Sequence, residues 1–139
     1  MPATPRAIVY FGERQTNGAQ YRFYLQSSGK VVLSGGDLGY TMPRSGSIIG
    51  VATAVNVLWV YGNSAGKVEA EVRKNNSEVF TSVSDTIDGG GLHQWNDTQS
   101  SGTDTFSAGD TIDVSIAPNT SPIFNIRSAS VAVIVEFDS

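Results

Sequence analysis

A chain of 139 residues is long enough for one domain with a core that needs no covalent staple, and the absence of cysteine removes disulfide and thiolate chemistry. Hydrophobic residues make up 40% and charged residues only 16%, with 15 glycines among many Ser, Thr, Asn and Asp, which favours short strands and tight turns. A formal net charge of −4 argues against nucleic acid as a partner, and no run approaches the roughly 20 apolar residues that span a bilayer, so no membrane partner is expected either.

The amino terminus, Met1-Pro2-Ala3-Thr4-Pro5-Arg6, lacks the apolar run of a secretory signal, so the chain reads as a complete product made in a cytoplasm. Ile8-Val9-Tyr10-Phe11 follows, and these consecutive apolar residues near a terminus demand a partner surface. They form either an arm that clamps a neighbouring protein or an edge strand of the same fold. Asn17-Gly18 predicts a hairpin turn, with Tyr21, Phe23 and Leu25 alternating against polar neighbours after it. Ser27-Ser28-Gly29 and Ser34-Gly35-Gly36-Asp37 predict further turns. Residues 1–40 are thus expected as an N-terminal arm or hairpin section, and residues 41–139 as the main domain.

Period two dominates the rest. Val68, Ala70 and Val72 alternate with Lys67, Glu69, Glu71 and Arg73, giving a strand with one dry and one solvated face. Ile112, Val114 and Ile116 alternate with Asp113 and Ser115 in the same way. Asn63-Ser64-Ala65-Gly66, Asn75-Asn76 and Ala108-Gly109-Asp110 predict turns, and Gly89-Gly90-Gly91 lies in a longer polar region, residues 82–105. No segment holds a helical period over ten residues. About eight strands are expected after residue 40, in a two-sheet antiparallel all-β sandwich.

Two stretches break the alternation. Val57-Leu58-Trp59-Val60-Tyr61 is apolar throughout, with Trp59 expected in the core. In residues 129–137, Val131, Val133, Val135 and Phe137 share one face, with Ala132, Ile134 and Glu136 on the other. A strand dry on both faces is covered on both. A second sheet covers one face; a neighbouring subunit or a loop of the same chain covers the other. Ala132, Ile134 and Glu136 are the candidate subunit-interface residues.

Catalytic patterns are missing. His93 is the single histidine, which excludes any site built from two. Gly62-Asn63-Ser64-Ala65-Gly66 matches a nucleophile elbow in letters, but that elbow needs a helix after the serine, and residues 67–73 read as a strand. Asp85, Asp88, Asp97 and Asp104 share a polar region without a calcium-loop spacing. No enzyme activity, metal or cofactor is expected. The glycosylation triplets at Asn75, Asn96 and Asn119 are incidental in a chain without a signal peptide. Trp95 either packs over the end of the sandwich or joins His93, Asn96 and Asp97 in a ligand-contacting cluster on end loops.

Four segments, in this order, resemble the jelly-roll modules of tailed-phage virion proteins: Gly39-Tyr40-Thr41-Met42-Pro43-Arg44-Ser45-Gly46-Ser47-Ile48-Ile49-Gly50-Val51; Gly66-Lys67-Val68-Glu69-Ala70-Glu71-Val72-Arg73-Lys74-Asn75; Phe106-Ser107-Ala108-Gly109-Asp110-Thr111-Ile112; and Val131-Ala132-Val133-Ile134-Val135-Glu136-Phe137. Such modules occur in capsid cement (decoration) proteins and in fibre tips. They are similar in architecture to the trimeric jelly rolls of complement and tumour-necrosis-factor type. The resemblance spans roughly residues 39–137. It implies a jelly-roll sandwich and a homotrimer on the outer surface of a capsid, bound to the major capsid protein. The chain lacks a fibrous stem, which favours a cement protein over the alternative, a receptor- or carbohydrate-binding fibre tip. Arg6, Ile8, Tyr10 and Phe11 are then the candidate capsid contacts.

Overall fold

The computed structural model describes residues 4–19, 22–25, 39–60, 65–118 and 124–139, with backbone alone at 13–19, 59–60 and 124. The strands are β1 (Arg6–Ala19), β2 (Phe23–Leu25), β3 (Tyr40–Thr41), β4 (Gly46–Val60), β5 (Val68–Lys74), β6 (Ser77–Val83), β7 (Gly91–Thr98), β8 (Asp104–Phe106), β9 (Thr111–Pro118) and β10 (Phe124–Phe137). No helix occurs among the described residues.

The strands form two antiparallel sheets. The first has the order β1-β10-β4-β7, with β8 also paired to β4; the second has the order β2-β9-β5-β6, with β3 also paired to β9. β7 and β8 are one broken line beside β4, and β2 and β3 are one broken line beside β9. Eight lines therefore lie as two interleaved Greek keys, the strand order of a jelly roll.

Alternation explains why the sheets stack. Val9 and Phe11 of β1, Val51 and Val55 of β4, and Val131, Val133 and Val135 of β10 are buried on one inner face. Phe23, Leu25, Val68, Ala70, Val72, Ile112, Val114 and Ile116 are buried on the other. Burying each large side chain contributes roughly 1.5–3 kcal/mol. Phe11 reaches across the layer to Tyr40, edge to face at 5.4 Å between ring centres. Trp95 closes the β6 and β7 edges by donating its indole N–H to the Ser82 carbonyl at 3.3 Å, and the Ser82 hydroxyl donates to Asp97.

The turns follow local chemistry. Asn75 and Asn76 have φ of 50° and 68°, the left-handed pair that a two-residue hairpin between β5 and β6 requires. The Asn75 side chain then locks the β8–β9 turn, donating to Asp110 Oδ1 at 2.9 Å and accepting from the Thr111 N–H at 3.0 Å. Gly109 takes φ of 93° in that turn.

One expectation needs revision, and one alternative left open is decided. β1 runs through Asn17-Gly18 to Ala19, so no hairpin turn forms there; a register shift between Arg14 and Ala19 absorbs the irregularity. The apolar run near the terminus is an edge strand, because β10 offers it a full ladder from Arg6↔Glu136 onward. The first forty residues thus supply β1 to one sheet and β2 to the other. The polar region 82–105 carries β7 and β8, its polarity reflecting a sheet edge. The expected turns at Ser27-Ser28-Gly29 and Ser34-Gly35-Gly36-Asp37, the triplet at Asn119, Ser64, and the side chain of Trp59 lie outside the described residues.

Candidate functional site

The outer face of the first sheet is built by the side chains that point away from the core. Across β1 and β10 the outward pairs are Arg6↔Glu136, Ile8↔Ile134 and Tyr10↔Ala132. β10 continues the rows into β4, with Ile134↔Gly50 and Ala132↔Ala52. β4 continues them into β7, with Ala52↔Asn96, Ala54↔Gln94 and Asn56↔Leu92. The centre of the face is therefore floored by small residues, and its margins carry large ones. Ile8 is 53% exposed, Tyr10 63% and Leu92 65%. Between the margins runs an open trough of about 420 Å³ lined by Tyr10, Ala52, Ala54, Gln94, Asn96 and Ser130.

Polar groups rim the apolar part. Arg6 Nε donates to Glu136 Oε2 at 2.9 Å. The Ser101 hydroxyl, and after it the Arg6 guanidinium, hold the Glu136 carboxyl below the usual glutamate range. The rim pair is thus neutralised within the chain.

The outer face of the second sheet has the opposite character. Arg22 donates to Glu69 at 2.6 Å and to the Ser115 hydroxyl at 2.7 Å, and pairs with Glu71 at 3.2 Å. Arg73 lies over the Tyr24 ring at 4.6 Å and donates to the Asn76 carbonyl at 3.0 Å. Its Nη1 stands 3.7 Å from Asp113, whose carboxylate oxygens are buried without a hydrogen-bond partner among the described residues. Burial pushes the Asp113 carboxyl up, with Arg73 opposing that shift and Glu71 adding to it. Arg22, Glu69 and Glu71 answer one another on this face, with Asp113 left short of partners; the first sheet leaves large apolar side chains in water.

The residues singled out in the sequence divide by strand parity. Arg6, Ile8, Tyr10, Ala132, Ile134 and Glu136 all lie on the one outer face, as cross-strand neighbours. The candidate capsid contacts and the candidate subunit contacts are therefore a single surface. Phe11 is removed from that set: it points inward, is 2% exposed and belongs to the core, because it follows Tyr10 by one residue on a pleated strand. His93, Trp95, Asn96 and Asp97 all lie within β7, not on an end loop. Trp95 and Asp97 turn toward β6, the His93 ring bonds the Gly89 carbonyl at 2.9 Å, and Asn96 lines the trough. They do not converge on one ligand. Among the described residues, no group of three His, Asp or Glu side chains is placed to hold a metal ion. Sequence reading missed Ala52, Ala54 and Leu92. Their signal was alternation with Val51, Thr53 and Val55 in β4, and a leucine in an otherwise polar strand.

No protein-family model matches the chain, and no curated protein matches it in sequence. Among solved structures, it is similar over 100% of its length to a chain of the virus-like particle of the giant freshwater prawn Macrobrachium rosenbergii extra small virus, of which it covers 82%, at a TM-score of 0.39 and 10% identity. It is similar over 94% of its length to dimeric latent PorU from Porphyromonas gingivalis, of which it covers 13%, at a TM-score of 0.40 and 10% identity.

Proposed function

We propose that this chain is a non-catalytic structural component of a virion, a homotrimeric cement protein on the outer surface of a phage capsid, made in the host cytoplasm. One observation carries the reading: the outer face of the first sheet exposes Ile8, Tyr10 and Leu92 around a floor of alanines, while on the second sheet Arg22 pairs with Glu69 and Glu71. A continuous apolar sheet face of this kind marks a contact surface. The resemblance of residues 39–137 to virion jelly-roll modules supports a trimer and a place on the shell.

The mechanism is mass action. Each trimer spans a junction between copies of the major capsid protein and binds the assembled shell in preference to the loosened one, which stabilises the shell. Three equivalent contacts add avidity where the geometry lets them engage together. Ile8 and Tyr10 belong to the face that closes the trimer, so the shell contact falls on other surfaces of the molecule.

Sedimentation should give about three times the 14.7 kDa chain mass at micromolar concentration. Expanded shells of the cognate phage, mixed with the trimer, should gain density on their outer surface and resist heat. A monomer, or a trimer that leaves cognate shells bare, overturns the reading.

A further inference from the structure

The apolar face has relief, and the relief fixes what can sit on it. Tyr10 and Ile8 stand out from the β1 margin, 63% and 53% exposed. The trough of about 420 Å³ is floored by Ala52, Ala54 and Ser130, walled on the β7 side by Gln94 and Asn96 and bounded on the β1 side by Tyr10 itself. A side chain that fills it must be large and apolar, with a polar tip for the amides, since a buried phenol hydroxyl takes a hydrogen-bond partner. A tyrosine meets that description, and Tyr10 is the one the chain itself presents at the margin of this face.

Charge points to the same occupant. The chain carries a net charge of −4, which opposes self-association in general. Yet the outward positions from Ile8 to Gly12, Gly50 to Ala54, Gln94 to Thr98 and Ser130 to Ile134 carry no charged side chain, and the adjoining Arg6 and Glu136 already pair with each other. Over these uncharged rows two copies can meet without opposing like charges or stranding a charge from water.

Resting on the trimer proposed above, we infer that Tyr10 of each copy seats in the trough of the next copy, over Ala52 and Ala54, so that three such contacts close a ring. This contact is heterologous, as a closed threefold ring requires.

The chain has no cysteine, which makes cross-linking clean. Tyr10→Cys with Ala54→Cys in one chain, under mild oxidation, should give covalent dimers and covalent trimers, and each single variant should give no trimer band. As a second arm, Ala54→Trp fills the trough from within its own copy; it should leave a folded chain by circular dichroism and at least a tenfold weaker assembly. Covalent dimers without trimers overturn the ring. Absence of any cross-link in a protein that still sediments as a trimer overturns the Tyr10 contact and leaves the proposed function standing. A wild-type monomer overturns both. Retention of the full trimer by Ala54→Trp also overturns the contact.

Discussion

Ile8 and Ile134 face each other across neighbouring strands, both turned away from the core of the sandwich. One comes from the start of the chain and the other from its last strand. Their pairing joins two stretches that the sequence treats as separate into one apolar surface.

Charge in this row should break the assembly without breaking the fold. Ile134→Asp places a carboxylate on the face that the proposed trimer would bury, and an unpaired buried charge costs several kcal/mol per copy. Light scattering should report a folded species near 14.7 kDa. Ile8→Asp should act in the same way, because it occupies the same row. A trimer that survives both substitutions removes this face from the interface.

β1 should prove essential to folding. It contributes Val9 and Phe11 to the core and covers the edge of β10. Phe11→Ala should destabilise the chain by about 3–5 kcal/mol, a large part of the roughly 5–15 kcal/mol available to a domain. Deleting residues 1–15 should leave no cooperative unfolding transition in urea. A truncated chain that still melts cooperatively would make β1 a dispensable arm.

Asp113 should give acid-side stability a distinctive slope. Its folded pKa is raised by burial, so the folded chain holds that proton more tightly than the unfolded one. The cost of the buried charge is fully present at neutral pH and is relieved as pH falls through the raised value toward the ordinary aspartate range. Asp113→Asn removes the cost only where the carboxylate is charged. The stability difference, variant minus wild type, should therefore shift in favour of wild type on acidification. Asp110 and Glu136 have lowered values and lose their contribution as pH falls, but they are present in both proteins and cancel. A difference that shifts the other way would mean that Arg73 outweighs burial at this site.

The Asn75-Asn76 turn should tolerate glycine and reject branching. Asn76 sits at φ of 68°, where a β-branched side chain is strained. Asn76→Val should lower stability by about 1–2 kcal/mol by the cost of the left-handed conformation. Asn76→Gly should be nearly neutral. Thermal melts of the two variants provide the comparison, and equal midpoints would show that the turn relaxes to another geometry.

Some of this was written in the sequence because the physics is local. Alternation in Val68-Glu69-Ala70-Glu71-Val72 needs only a pleated strand, and it gave the buried side of β5; Arg73, expected on the solvated side, is instead buried between the Tyr24 ring and Asp113. Asn75-Asn76 specified its own turn, since few residues accept positive φ. The doubly apolar character of residues 131–137 predicted cover on both faces of β10. The second sheet covers the inner face, with Val131, Val133 and Val135, and the chain itself leaves Ala132 and Ile134 half-buried on the outer one. Strand parity sent Phe11 inward and Tyr10 outward, a distinction that four consecutive apolar residues do not reveal. The pairing of β1 with β10 depends on residues 6 and 136 meeting, and β7 became an edge strand because β4 offered it a ladder. Small residues such as Ala52 and Ala54 carry almost no signal in a sequence. They matter because neighbouring strands align them into a trough, and register between distant strands is set by the packing of the whole sandwich.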